Sequence, residues 1–208
     1  MIKLKNTSET YGLIAKAFHW PMAIIMLGLL LLGLYMADLD PSPDKYELYG
    51  LHKSFGLLIL WMVGLRLIWR FYTKLPEPHE NHQRWERVLA KIAHFLLYVS
   101  MIGMPLTGWL MSSAGGHPVG FFGISMPSLM EKNEDFGKLM NETHSILAFT
   151  LVGVILLHAA GAMKHHFIDH DNTLKRMMAG PMHKIGPYIL IIILGLFVGA
   201  VVKLLFIS

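Results

Sequence analysis

The sequence predicts an all-α integral membrane protein that crosses the bilayer five times, and three observations carry the prediction. Of its 208 residues, 54% are hydrophobic and 15% charged, with a mean hydropathy of +0.48; soluble domains carry roughly a quarter charged residues. Five stretches are long and charge-poor enough to cross a hydrocarbon core of about 30 Å as helices. Basic and acidic residues alternate from one connection to the next, as short loops on opposite sides of a membrane do.

The first span runs from about Ala17 to Ala37 and contains no Asp, Glu, Lys or Arg. No small-x-small cleavage site follows it, so it is expected to stay as an anchor. The second, from about His52 to Tyr72, carries Lys53 at one end and Arg66 and Arg70 at the other, where long basic side chains can snorkel toward headgroups. The third runs from about Ile92 to Ser113, the fourth from about His144 to His166 and the fifth from about Ile185 to Phe206. Lys3, Lys5 and Lys16 precede the first span, the second connection is rich in Arg and Lys, and the fourth holds Lys175 and Arg176. The first and third connections are acidic on balance. The N-terminus is therefore expected in the cytoplasm and the C-terminus outside it. Pro76 and Pro78 mark an exposed loop, and "AGGHPVGFFG" an irregular one. The connection between spans three and four, about 30 residues long, is long enough to cover something.

Composition also limits the chemistry. The chain has 12 His, 15 Met and no Cys, which excludes disulfides, thiolate zinc sites, iron–sulfur ligation and covalent haem attachment. The net charge of +4 comes from residues lying between hydrophobic runs rather than on one soluble face, so no nucleic-acid partner is expected.

Histidine is the residue that the apolar background does not explain. His144 and His158 are fourteen residues apart, which on a helix brings them within about 40° of one face and separates them by about 21 Å. His165 follows seven residues later on the same stripe. His19 lies at the cytoplasmic start of the first span and His52 at the outer start of the second. By depth, His144 matches His52 outside and His158 matches His19 inside. Two opposed imidazoles at one depth in a bundle suit a haem b, and two layers imply two haems. With both axial positions filled, the expected work is electron transfer across the bilayer. Zinc or copper transport and a purely structural role remain as rivals at this point. His94, on the third span, stays open as a structural residue, a replacement ligand or a quinone contact. His165 and His166 are either a solvated helix end or, for His165, a quinone headgroup site able to exchange protons. Trp20, Trp61, Trp69 and Trp109 read as packing and interface belts, and Gly56, Gly108 and Gly161 as places of close helix or macrocycle approach.

The stretches "AFHW", "LHKSFG", "AHFLLY", "FGISMP" and "HSILAFTLVGVILLHAAGAMKHHFIDHDNTLKRMM" make the chain resemble the bacterial cytochrome b561 family, small di-haem membrane cytochromes that include a superoxide:ubiquinone oxidoreductase. The resemblance covers roughly residues 8 to 180. It implies a four-helix membrane bundle binding two b haems in the bacterial inner membrane. His19, His52, His144 and His158 match the family's haem ligands, and His165 a residue associated with its cytoplasmic quinone site. It further implies an oxidoreductase or electron-transfer role, with superoxide or a periplasmic redox partner at the outer haem beside His52 and Lys53, and ubiquinone near His165. Residues 181–208 depart from the family pattern as an additional C-terminal transmembrane helix, a candidate for binding a membrane partner. The outer loops are acidic overall, whereas superoxide capture benefits from a positive funnel; Lys53 and Lys138 supply local positive charge.

Overall fold

The computed structural model describes residues 3–77, 82–178, 180 and 182–206; Pro78 lies outside them. Five long helices make up most of the described chain: α1 (Leu13–Asp38), α2 (Pro43–Tyr72), α3 (Arg84–Ala114), α4 (Glu134–Phe167) and α5 (Met182–Phe206). All five are long and apolar enough to cross a membrane.

All five helices are longer than the apolar runs that mark them, α2, α3 and α4 by the most. Ser42 caps α2 by accepting from the Lys45 N–H at 3.2 Å, with Pro43 in the first turn. Asn133 caps α4 in the same way, accepting from Phe136 N–H at 3.0 Å, and Glu134 and Asp135 follow in the first turn. At the head of α3, the Gln83 N–H donates to Glu86 at 2.8 Å. His52 and His144 therefore sit well inside α2 and α4, rather than at their starts as the hydrophobic spans suggest. Caps and first-turn charges set helix ends, whereas apolar runs set only the bilayer depth.

In the bundle α1 packs on α2, α2 on α3 and α3 on α4, while α5 lies along α1 and touches α4. Close backbone packing of α4 against α1 or α2 is sparse, so side chains bridge that space. One apolar core, made of Met22, Met26, Leu30, Ile59, Val63, Met101, Leu151 and Phe197, takes residues from all five helices. Leu151 stands midway between His144 and His158, so this core separates two layers of the bundle.

The long α3–α4 connection is more ordered than an irregular loop. Val119–Phe121 (β1) and Ile124–Met126 (β2) form an antiparallel hairpin, turned by Phe122 and Gly123 with φ of 47° and 88°, as a two-residue turn of the primed type requires. Ser54 of α2 pins it: the Phe122 N–H donates to Ser54 Oγ at 3.1 Å, and that hydroxyl lies 3.2 Å from the Gly120 carbonyl. Trp109 Nε1 holds the next turn by donating to Pro127 at 3.1 Å. Ser54→Ala leaves the Phe122 N–H without its acceptor, at a local cost of about 1–3 kcal/mol. Hydrogen exchange is expected to quicken at residues 119–126 and to stay unchanged along α2.

The opposite face, which carries the N-terminus, has its own cap. Trp20 Nε1 donates to the Met177 carbonyl at 2.9 Å, Lys16 Nζ to Met178 at 2.8 Å and Thr10 Oγ1 to Arg176 at 3.1 Å. The segment after α4 is thus bound to the start of α1.

Candidate functional site

The bundle brings His19 of α1 against His158 of α4, with ring centres 6.2 Å apart and planes at 67°. Toward the other face, His52 of α2 meets His144 of α4 at 6.3 Å and 62°. The matching by depth therefore becomes contact in space.

Whether these pairs suit an iron is a question of spacing and free lone pairs. A metal–imidazole bond of about 2 Å, with the ring centre about 1.2 Å behind its nitrogen, sets two opposed ring centres about 6.4 Å apart. Both pairs meet that spacing. At the outer pair, Thr107 Oγ1 gives its proton to the carbonyl of Gly103 or Met104, at 2.8 and 2.9 Å. It therefore accepts from His144 Nδ1–H at 3.1 Å, leaving Nε2 with a free lone pair, the orientation that supporting hydrogen bonds give to metal ligands. His52 Nδ1 is buried without a hydrogen-bond partner among the described residues. Glycines keep both rings in place: a Cβ at Gly108 would stand 3.3 Å from His144 Cε1, and one at Gly33 3.4 Å from His52 Cε1. Of the three glycines singled out in the sequence, Gly108 makes such an approach, whereas Gly56 and Gly161 face open space. Both pairs fit an iron-porphyrin group by spacing, and at the outer pair His144 also presents a free Nε2 lone pair.

His94 of α3 lies 5.1 Å from His158, short of the spacing for a shared iron. It is a neighbour of the inner pair rather than its mirror image. Arg66 does not run outward to a headgroup: its Nη2 lies 3.3 Å from His19 Nδ1, and its guanidinium stands 5.8 Å from the centre of the Tyr98 ring. Because guanidinium only donates, His19 Nδ1 is the acceptor in this contact.

Lys53 Nζ donates to the Pro118 carbonyl at 3.1 Å, which lays its charge along the hairpin next to His52. His165 lies beyond the inner pair, in a polar cluster that the sequence did not announce. Its ring stacks on that of His82 at 4.0 Å. Asp171 Oδ2 is 2.7 Å from His82 Nε2 and 3.3 Å from His165 Nδ1, and Asp169 Oδ2 is 2.7 Å from His165 Nδ1. The Asp169 contact is close but not aligned as a hydrogen bond, since among the described residues His165 Nδ1 is buried without one. Lys164 pairs with both Glu86 and Asp169 and balances part of this negative charge.

Burial alone would raise the Asp171 carboxyl, but hydrogen bonds from His82 and from Thr173 outweigh it and hold the group at about 2. That lies below its ordinary 3.8, so ionised Asp171 stabilises the folded cap. The contribution is complete above about pH 4 and is lost as the pH falls toward 2. Limited proteolysis of the segment after α4 is expected to speed up across that window, and Asp171→Asn to cleave fast at every pH.

A bundle of five apolar helices with paired imidazoles in its interior defines the class of helical, cofactor-binding membrane proteins. A family model described as prokaryotic cytochrome b561 matches residues 10–180, and the chain belongs to that family of membrane electron-transfer cytochromes, which generally bind b haems. Over 175 residues it is 36% identical to cytochrome b561 homolog 2 of Escherichia coli K12, covering 83% of this chain and 93% of that protein. Cytochrome b561 homolog 1 of the same organism is 28% identical over 127 residues, 61% of this chain and 72% of its own. The probable superoxide oxidase CybB of Yersinia pestis is 26% identical over 170 residues, 82% of this chain and 96% of that protein. Helix α5 lies beyond the matched segment.

Proposed function

We propose that the protein is a di-haem b cytochrome of the bacterial inner membrane, with its N-terminus in the cytoplasm, that connects an outer electron donor with ubiquinone. What supports the reading most is the pair of imidazole separations, 6.2 and 6.3 Å, in two layers of one bundle. His52 and His144 are the ligands of the outer haem, His19 and His158 of the inner one. Haem b held by these residues would supply one-electron redox chemistry.

The chain's own residues do the rest. His144 is oriented by Thr107, and the hairpin is pinned to α2 by Ser54, two residues from His52. Lys53 presents positive charge beside His52 and favours an anionic donor. Superoxide is the donor this favours, because one relative is named a probable superoxide oxidase. In the overall reaction two superoxides become two dioxygens, and one quinone with two protons becomes quinol. His165, set against Asp169, Asp171 and His82, is placed to bond a quinone carbonyl and to pass protons from the N-terminal face. Helix α5, which lies beyond the segment that the family model matches, favours a second reading, a cytochrome subunit fed by a periplasmic dehydrogenase or hydrogenase.

The test is superoxide reduction of the purified protein in detergent, followed in the haem absorption bands. Reduction at a rate near the diffusion limit supports superoxide as donor. Absence of reduction, in a protein that dithionite reduces fully, favours the partner-fed reading.

A further inference from the structure

Arg66 and Arg70 stand one turn apart on the same helix, half-buried, and both guanidiniums lie over the Tyr98 ring, at 5.8 and 5.6 Å. Like charges at this spacing repel. None of the ion pairs among the described residues includes either arginine. They line a small cleft on the N-terminal side of the bundle together with Tyr11, Trp69 and Tyr98. Trp69 Nε1, a donor only, is buried there without a partner among the described residues. Burial raises the Tyr11 phenol although Arg70, Arg66 and Arg176 pull it down, so Tyr11 also keeps its proton to donate. The cleft thus combines two fixed positive charges with neutral donors and, among the described residues, no carboxylate, the pattern of a site for a dianion bearing oxygen acceptors.

Its position says which dianion. Arg66 reaches His19 Nδ1. Once Nε2 of His19 is a ligand, Nδ1 must carry the proton and can no longer accept from Arg66. A half-buried guanidinium is then left in need of an acceptor next to the inner pair, where an unpaired charge is costly. A haem b carries two carboxylates on one edge, equal in number to the two arginines.

We infer that Arg66 and Arg70, helped by Trp69 Nε1–H and the Tyr11 hydroxyl, clamp the two propionate carboxylates of the haem held by His19 and His158, and so fix which edge of that haem faces the N-terminal side. The inference rests on the di-haem reading above. The arginines act as positioning and charge-balancing residues rather than as ligands.

The test uses the full-length protein, made in haem-deficient cells and loaded with haem b or with its dimethyl ester, which has the same macrocycle without the two charges. The readouts are the rate at which each haem is lost to apomyoglobin and the midpoint potential of each haem. Each charge-assisted pair is worth about tenfold in affinity. The wild-type protein is expected to keep haem b at the inner site about a hundredfold longer than the ester, and Arg66→Gln with Arg70→Gln to bring that ratio near one. The inner haem's midpoint potential is expected to fall in the double variant, since loss of positive charge favours the ferric form, while the outer haem's stays. Arg66→Lys with Arg70→Lys should restore part of both effects. An ester-to-haem ratio unaffected by the double Gln variant overturns the clamp, as does an equal response of the outer haem. Failure of the underlying reading has a different signature: His19→Ala would keep both haems.

Discussion

His158→Ala is expected to leave the purified protein with one haem per chain instead of two, and His19→Ala to remove the same one. His52→Ala and His144→Ala are each expected to remove the other. The reason is shared: each haem would take one imidazole from each of two helices, so removing either ring takes away one of its two iron–histidine bonds. The loss in each variant is expected to be large, because the haem keeps only one of its two iron–histidine bonds. Haem counted by pyridine haemochrome, with the reduced-minus-oxidised spectrum identifying which haem remains, checks the pairing. If His94→Ala removes a haem while His19→Ala does not, the inner pair is His94 with His158, against the 5.1 and 6.2 Å separations.

Gly108→Val is expected to abolish the outer haem without touching any histidine. A Cβ at position 108 stands 3.3 Å from His144 Cε1 and 3.5 Å from Nδ1, so alanine is accommodated by a small ring shift, whereas the γ-methyls of valine meet the ring itself. Overpacking of this kind costs about 1–3 kcal/mol if the neighbour stays. The cheaper response is for His144 to rotate away and give up its bond to Thr107. Retention of two haems per chain in Gly108→Val, with an unshifted spectrum, would show that the ring has room that the geometry denies it. Gly33→Val should act on His52 in the same direction.

Much of this architecture was legible in the chain itself. The spans lie inside α1 to α5 because burial in hydrocarbon imposes one requirement, a long run free of charge, and that requirement is written residue by residue. The four histidines were legible for a related reason: ionisable groups at membrane depth are costly, so each one stands out, and fourteen residues between His144 and His158 fix their common face. The hairpin was missed because its strands are three residues each and its turn opens with Phe122 at positive φ, a choice no local propensity suggests. Arg66 was seen but misdirected, since snorkelling outward is the default for an arginine near a helix end, and only the nearness of His19 and Tyr98 turns it inward.

The sequence by itself determined how many helices are long and apolar enough to cross a membrane, which histidines share a helix face and to which family the chain is similar, because hydrophobic length and helical period act along one segment at a time. Only the tertiary structure decided the contacts around the histidines: His94 beside His158 at 5.1 Å, Thr107 orienting His144, Arg66 reaching His19, and His82 meeting Asp171 from 89 residues away. Those choices depend on how helices rotate and lean against one another. That packing is a balance summed over the whole bundle, and no single stretch of chain carries it.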